Sequence, residues 1–550
     1  MTVQPEPAAA GTPAALASDD LAVAGVPVAA RAAAPDEVPA EQAGRMSHGE
    51  VIQALSGLML GMFVTILAST IVSNALPRII ADLGGTQSVY TWVVTTELLA
   101  MTATVPLWGK MADLYSRKLL IQLSLSLFVV GSLIAGFAPN VTLLLVSRIA
   151  QGVGAGGMGA LAMIVMAAMI PPRELGRYSG VFGAVFGVGT IAGPLIGGVL
   201  VDTSWLGWRW CFFIGIPFSL AAIALLQRTL HLPVVRRPVT VDWLGALLIM
   251  AGVSTLLVWS SLAGHHFPWG SWQTAAFVVG GVLLLALAVR TESRAAEPII
   301  PLGIFRNRTV ALTVVASTLV GVALFGSTVF LSQYFQVALG KSPTVAGLMS
   351  LPMILGLLVS STVAGQLITR YGRWKAYLVV GSLVMTGGFL LLSTIDATTG
   401  VVPLATYMVV LGIGVGMLMQ NLVLAAQNDV PAAQLGAATS TLTFFRSMGG
   451  AIGVSALGAV LSSRVTSLVA DHFGAEATGG GSAKVPDLAT LPAPVLAVIR
   501  DIYGTATSDL FLVATPIAVL AVLAVLFIRE KPLSTLTGDE RRAREAAAPH

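Results

Sequence analysis

Charge is scarce in this sequence. Only 10% of its 550 residues are Asp, Glu, Lys or Arg, where a soluble domain carries about 25%. A chain so poor in charge cannot clothe the surface of a soluble globule, and its mean hydropathy of +0.86 agrees. Cysteine is scarcer still: Cys211 stands alone, which excludes an internal disulfide framework and a cysteine-built metal site. The six histidines keep no ligand spacing, and His265 and His266 fall in a loop. Neither a Ser-His-Asp arrangement nor a phosphate-binding glycine loop ending in Lys-Ser/Thr is present. Catalysis therefore has no residues to stand on, and neither a cofactor nor a metal is expected. The basic residues are scattered through short loops, so the net charge of +4 draws no nucleic-acid footprint.

What the chain has in quantity is apolar runs. Residues 1–50 are rich in Ala, Pro and acids and read as a disordered tail. They lack the basic start and apolar core of a signal peptide. From Val51 onward, runs of about 20 apolar residues recur, the length a bilayer-spanning helix needs. They lie near 53–77, 89–109, 119–138, 141–169, 177–201, 209–228, 242–263, 273–291, 309–335, 344–369, 376–395, 402–426, 437–462 and 507–529. The expected fold is an all-α polytopic membrane protein with fourteen spans. Six make an N-terminal bundle (51–230), two a hairpin insertion (241–291) and six a C-terminal bundle (305–530). A long external loop (463–506) and a cytoplasmic tail (531–550) complete the chain. Within that loop, "APVLAVIRDIYG" reads as a loop with at most a short surface helix.

Alternate loops carry the basic residues: Lys110, Arg117 and Lys118; Arg173 and Arg177; Arg228, Arg236 and Arg237; Arg294, Arg306 and Arg308; Arg370, Arg373 and Lys375. By the positive-inside rule these loops and both termini are cytoplasmic. Trp92, Trp205, Trp208, Trp269 and Trp272 fall near outer ends, and Trp108, Trp243 and Trp374 near inner ones, as an aromatic belt would. The high Ala and Gly content points to a GC-rich bacterial gene, so a bacterial cytoplasmic membrane is the expected setting, with the lipid bilayer as first partner. Nothing specifies a second subunit, so a monomer is the expectation.

A weak repeat joins the two halves. "GKMADLYSRK" starts at Gly109 and "GQLITRYGRWK" at Gly365, with Gly109/Gly365, Tyr115/Tyr371 and Arg117/Arg373 at matching offsets. Each copy follows an even-numbered span on the basic side. Two similar halves of this kind are common among secondary transporters.

These features, with several local motifs, resemble the major facilitator superfamily, and within it the fourteen-helix drug:proton antiporters of the EmrB/QacA type. The resemblance covers nearly everything from 55 to 530. It is carried by "GKMADLYSRK", "LVSRIAQGVGAG" (145–156), "GTIAGPLIGG" (189–198), "WRWCFFIGIP" (208–217), "DWLGALL" (242–248) and "FFRSMGGAIGVS" (444–455). It implies proton-coupled efflux of hydrophobic or amphipathic small molecules by alternating access, with protons as the second partner. The rival expectation is a dedicated exporter of one endogenous compound. A further alternative is a non-transporting membrane receptor or scaffold.

The "GVGTIAGPLIGG" stretch (187–198) is dense in two residue types that weaken helices. Gly189, Gly193 and Gly197 share one helix face, and small residues so spaced admit a close neighbour; Pro194 frees a carbonyl and bends the helix. A structural seam is one reading. The resemblance implies another: together with Gly198 they form the antiporter motif, packing across the interface between halves. It also implies that Gly109, Asp113, Arg117 and Lys118 form a cytoplasmic gate, with Asp113 latching the halves. For Asp242 the reading is a cap of the following helix.

Charges inside the membrane need a reason, and three are clear: Glu97, Arg148 and Arg446. Glu97 and Arg148 each lie about seven residues below the outer end of their spans, roughly 10 Å deep, so they can meet. Desolvation opposes the charged form of Glu97 and a nearby Arg148 favours it. A rearranging bundle can shift that balance, which makes the two the proton-coupling candidates. A permanent ion pair, or no contact, are the alternatives. By the resemblance, span 1 should carry an Asp where this chain has Ala68, and Glu97 is read as its relocated carboxylate. Phe325, Phe330, Tyr334 and Phe335 are candidate substrate lining, or ordinary packing. Arg446 pairs with a polar group of the second bundle or with substrate.

Overall fold

A computed structural model describes residues 48–83, 87–203, 206–230, 242–262, 267, 270–295, 298–341, 343–474 and 492–547. The predicted N-terminal tail, as far as residue 47, lies outside them. Helices occupy every predicted span: α1 (His48–Asp82), α2 (Gln87–Leu114), α3 (Arg117–Gly136), α4 (Val141–Met169), α5 (Pro172–Asp202), the broken pair α6 (Trp210–Phe213) and α7 (Gly215–Thr229), then α8 (Trp243–Leu262) and α9 (Trp272–Glu292). The second series is α10 (Arg308–Val337), the broken pair α11 (Pro343–Met349) and α12 (Leu351–Tyr371), α13 (Lys375–Leu392), α14 (Val401–Asp429), α15 (Leu435–Phe473) and α16 (Ala493–Leu526). A short α17 (Gly538–Ala547) is the last helix among the described residues. Eleven helices among the described residues are long and apolar enough to cross a membrane. The remaining predicted spans, 89–109, 177–201 and 242–263, are helical in α2, α5 and α8.

Local chemistry sets the boundaries. Asn140, Asn307 and Ser271 accept hydrogen bonds from the third residue on, at Leu143 (2.9 Å), Val310 (3.4 Å) and Thr274 (3.3 Å). Each satisfies an orphan amide of a first helical turn. Asp242 does the same for the Gly245 N–H (2.8 Å), as its sequence position suggests. At the other end of α12, Gly372 takes the left-handed conformation with φ 70°, which halts a helix at little cost.

The helix pairings of the first series recur in the second. In the first, α4 packs on α2 and α3, while α1 packs on α5 and α7. In the second, α14 packs on α12 and α13, while α10 packs on α15 and α16. The two series meet at two equivalent seams, α2 against α15 and α5 against α12. A twofold-like plan therefore stands behind the sequence repeat. The α8–α9 hairpin breaks it, since α8 packs on α2 and α15.

Two expectations need revision. The external loop 463–506 is largely helical at both ends: α15 runs to Phe473, and α16 starts at Ala493 and absorbs the "APVLAVIRDIYG" segment. Burial explains the extension, because Ile499, Ile502 and Tyr503 are covered. The Arg464–Asp509 ion pair (2.6 Å) ties the two extended helices. Near this end, the Asp396 carboxyl is held below the usual carboxylate range by the hydroxyls and N–H groups of Thr398 and Thr399. The tryptophans also divide. Trp243 and Trp272 are exposed like belt residues, while Trp108 and Trp374 turn inward. There they donate to the carbonyls of Val153 and Lys531, each at 2.9 Å.

Candidate functional site: a charged network, a seam and a cavity

Glu97 on α2 and Arg148 on α4 are ion-paired through Oε2 and Nη2. Both are buried, at 5% and 1% exposure. Glycine brings their backbones together: a Cβ at Gly152 would sit 2.3 Å from the Glu97 carbonyl oxygen, and one at Gly156 would sit 2.6 Å from that of Met101. In the "GVGAGG" run of α4, Gly152 and Gly156 thus admit α2, while Gly154 admits α3 at Ser124 and Phe128. The guanidinium also donates to the Val93 carbonyl (3.3 Å) and the Gln151 side chain (2.8 Å). Gln151 donates in turn to Ser132 on α3 (2.9 Å). From α1, the Ser69 hydroxyl donates to Glu97 Oε2 (3.4 Å). One polar chain thus crosses α1, α2, α4 and α3. Ala68, where the resemblance places an Asp, faces Val64, Phe128 and Ala155 instead; its neighbour Ser69 is what reaches Glu97.

At the basic end, α2 and α15 touch through glycines. A Cβ on Gly109 would meet Ser440 and the Gly436 carbonyl, and one on Gly436 would meet Asp113 and the Gly109 carbonyl, all within 3 Å. Asp113 accepts from the N–H groups of Gly436 and Ala437, both at 3.0 Å. A carboxylate at the end of one half therefore caps the first turn of a helix in the other, favoured by hydrogen bonding and helix dipole together. Arg117 is buried and acts electrostatically on Asp113. Lys118 lies elsewhere: its ammonium donates to the Gln227 carbonyl (2.7 Å), near the end of α7.

The glycines of α5 correct an expectation. A Cβ at Gly193 would lie 2.1 Å from the Thr70 hydroxyl, and those at Gly189 and Gly197 would meet Ile66 and Ile71. All three neighbours belong to α1, so the face packs inside its own half rather than across the interface. Thr70 also donates to the Gly189 carbonyl (3.1 Å). The reason is visible in the other half, where Gly449, Gly450 and Gly453 of α15 receive Thr318, Phe325 and Val322 of α10. The seam is part of the repeated plan. Gly187, by contrast, faces α12, where a Cβ would meet Ile354. The surroundings of Pro194 and Gly198 lie outside the described residues.

The aromatic residues of α10 are likewise packing residues. Phe325 lies over Gly450 and Phe330 beside Gly458. Tyr334 and Phe335 are fully buried, and the Tyr334 hydroxyl donates to the Asp396 carbonyl (2.6 Å). Arg446 donates to the Met419 carbonyl (3.4 Å); among the described residues no carboxylate pairs with it.

Between the two halves, near the basic end, lies a small void of about 20 Å³. Met163 and Met166 (α4), Leu175 (α5) and Gln420, Asn421 and Gln427 (α14) line it. The side-chain oxygens of Gln420 and Asn421 have no hydrogen-bond partner. Sequence reading passed over these amides, though "MLMQNLVLAAQND" signals them: four polar amides near the end of an apolar run. Ser69, Gln151 and Ser132 carried a weaker signal, since small hydroxyls and a lone Gln are common in membrane helices.

The profile of the Major Facilitator Superfamily matches residues 58–454. An uncharacterised MFS-type transporter of Mycobacterium tuberculosis is 37% identical over 492 residues, which are 88% of this chain and 70% of that protein. Multidrug transporter protein MdtP of Bacillus subtilis is 35% identical over 450 residues, 82% of this chain and 80% of that one. The proton:xylose symporter XylE, solved with 6-bromo-6-deoxy-D-glucose, matches with a TM-score of 0.58 over 90% of this chain and 99% of its own, at 14% identity. That last likeness is one of fold alone.

Proposed function

Since the chain belongs to the major facilitator superfamily, a family of transporters rather than enzymes, we propose that it expels hydrophobic or amphipathic compounds across the bacterial cytoplasmic membrane in exchange for protons. The basic loops put both termini in the cytoplasm under this reading. The observation that carries it is the Glu97–Arg148 pair, buried inside one half and tied to four helices. A carboxylate so placed changes its proton affinity whenever the helices around it shift, because burial and the distance to the guanidinium both change. Ser69 on α1 gives the carboxyl a second partner while the arginine moves. Asp113 and the Gly109–Gly436 contact act as the cytoplasmic latch, closed when α2 caps α15. The void below the network is water-sized as it stands; once widened, its methionines adapt to varied apolar shapes and its amide oxygens accept hydrogen bonds. The paucity of membrane-embedded acids favours neutral or singly charged substrates over multivalent cations. Energetically, one proton crossing 100 mV releases about 2.3 kcal/mol, with roughly 1.4 kcal/mol more per pH unit. Together these sustain gradients on the order of several hundred-fold per proton.

The test is substrate-induced proton release in proteoliposomes, over a panel of unrelated dyes and drugs. Wild type releases protons on substrate addition; Glu97→Gln binds the same compounds without release. Unchanged coupling in Glu97→Gln would refute the assignment. A response to one compound only would point to a dedicated exporter, and no response to any would favour a receptor or scaffold.

A further inference from the structure

The α8–α9 hairpin carries two carboxylates that the export reading leaves idle. Asp242 uses Oδ1 to cap α8 at the Gly245 N–H (2.8 Å), and Glu292, the last residue of α9, uses Oε2 to accept from the Ile300 N–H (3.1 Å). A surface cap would leave its second oxygen in water. Here both second oxygens, Asp242 Oδ2 and Glu292 Oε1, are buried and have no hydrogen-bond partner. They also converge: a Cβ at Gly245 would lie 2.4 Å from the first and 2.5 Å from the second. The missing side chain of Gly245 is the gap they share. Glu292 is 4% exposed.

Two like charges facing one buried gap repel each other and lose hydration, a cost that a single shared proton removes. A proton supplies the donor both orphan oxygens lack. A metal ion fits poorly, because no third acid, histidine or cysteine joins them among the described residues. We infer that Asp242 and Glu292 hold one proton between them, making the hairpin a protonation site beside the α2–α15 seam.

The surrounding charges locate its control. Lys110 of α2, buried and next to Gly109, is the opposite charge acting on Glu292. On the hairpin itself Arg290 is exposed, as is Arg294 just beyond it, and the 435–445 stretch of α15 carries no titratable side chain. The counter-charge thus belongs to the helix that makes the seam. Moving α2 away from α15 and α8 withdraws Lys110 and strengthens the hold on the proton; its return weakens it. The site stands whether or not Glu97 carries the transported proton.

Infrared titration of the purified full-length protein between about pH 5 and 9 tests this. One protonated-carboxyl band should vanish in Glu292→Gln and persist in Glu97→Gln, which separates this site from the export reading. In Asp242→Asn the midpoint of that band should fall by about one pH unit, as the like charge is gone, and in Lys110→Gln it should rise by a similar amount. A spectrum unchanged by Glu292→Gln overturns the site. A midpoint unmoved in Asp242→Asn overturns the sharing, and that variant decides the matter alone if Glu292→Gln fails to fold.

Discussion

Inside a bilayer, one side chain can decide whether another is affordable. Arg148 removed from beside Glu97 leaves a buried carboxylate without its charge partner, and breaking such pairs costs about 3–5 kcal/mol. Arg148→Gln should therefore lower the thermal midpoint in detergent sharply, and adding Glu97→Gln should restore most of the loss. Equal midpoints for the single and double variants would show the pair to be uncoupled. Glycines make a second contrast. At Gly193 a methyl group would collide with Thr70, 2.1 Å away, while at Gly159 nothing lies within 4 Å. Gly193→Ala should cost about 1–3 kcal/mol from overpacking, and Gly159→Ala little or nothing, in the same melting assay. Much of this was legible in the sequence: an acid and an arginine at equal depth predict their own meeting. The direction of the α5 glycines was not. Spacing says that one face is small, but which neighbour fills it depends on the tertiary plan.

Under the export reading, the proposed gate belongs to helices more than to residues. The cap that Asp113 places on α15 and the glycine contact beside it are both made only while α2 and α15 touch. Losing a cap costs about 0.5–2 kcal/mol, enough to change a two-state population several-fold. Spin labels at Tyr115→Cys and Tyr371→Cys, both exposed ends of the repeat, would read the opening. Cys211 is buried and should not take label. Asp113→Ala should shift the distance distribution toward the longer population; an unchanged distribution would deny the cap its role. Element positions were readable from apolar run length, because a bilayer of fixed thickness imposes a fixed length. Where helices outgrow that length, as in α15 and α16, the signal fails. Burial then decides the boundary, as at Ile499, Ile502 and Tyr503 in the added turns of α16.

Across the whole molecule, the final segment joins the two halves at their basic ends. Glu530 accepts from the Trp374 N–H (2.8 Å), Lys531 pairs with Asp429, and the Ser534 carbonyl accepts from the Arg173 N–H (3.3 Å). In α17, Arg541 donates to the Gln427 and Val430 carbonyls and Glu545 accepts from the Ala432 N–H. Gly538 packs on Ala167 and Ala168 of α4. The sequence read this stretch as a tail, since its charged helix has no apolar face to betray a docking site. Each hydrogen bond is worth about 1 kcal/mol, so deleting residues 531–550 should loosen this closure. Thiol labelling of Met166→Cys in the cavity should then quicken by roughly tenfold; an unaltered rate would make the segment ornamental. The same arrangement bears on how far the two halves can part. A segment fastened to both at one end works as a strap, so at that end either half can tilt only as far as the strap yields.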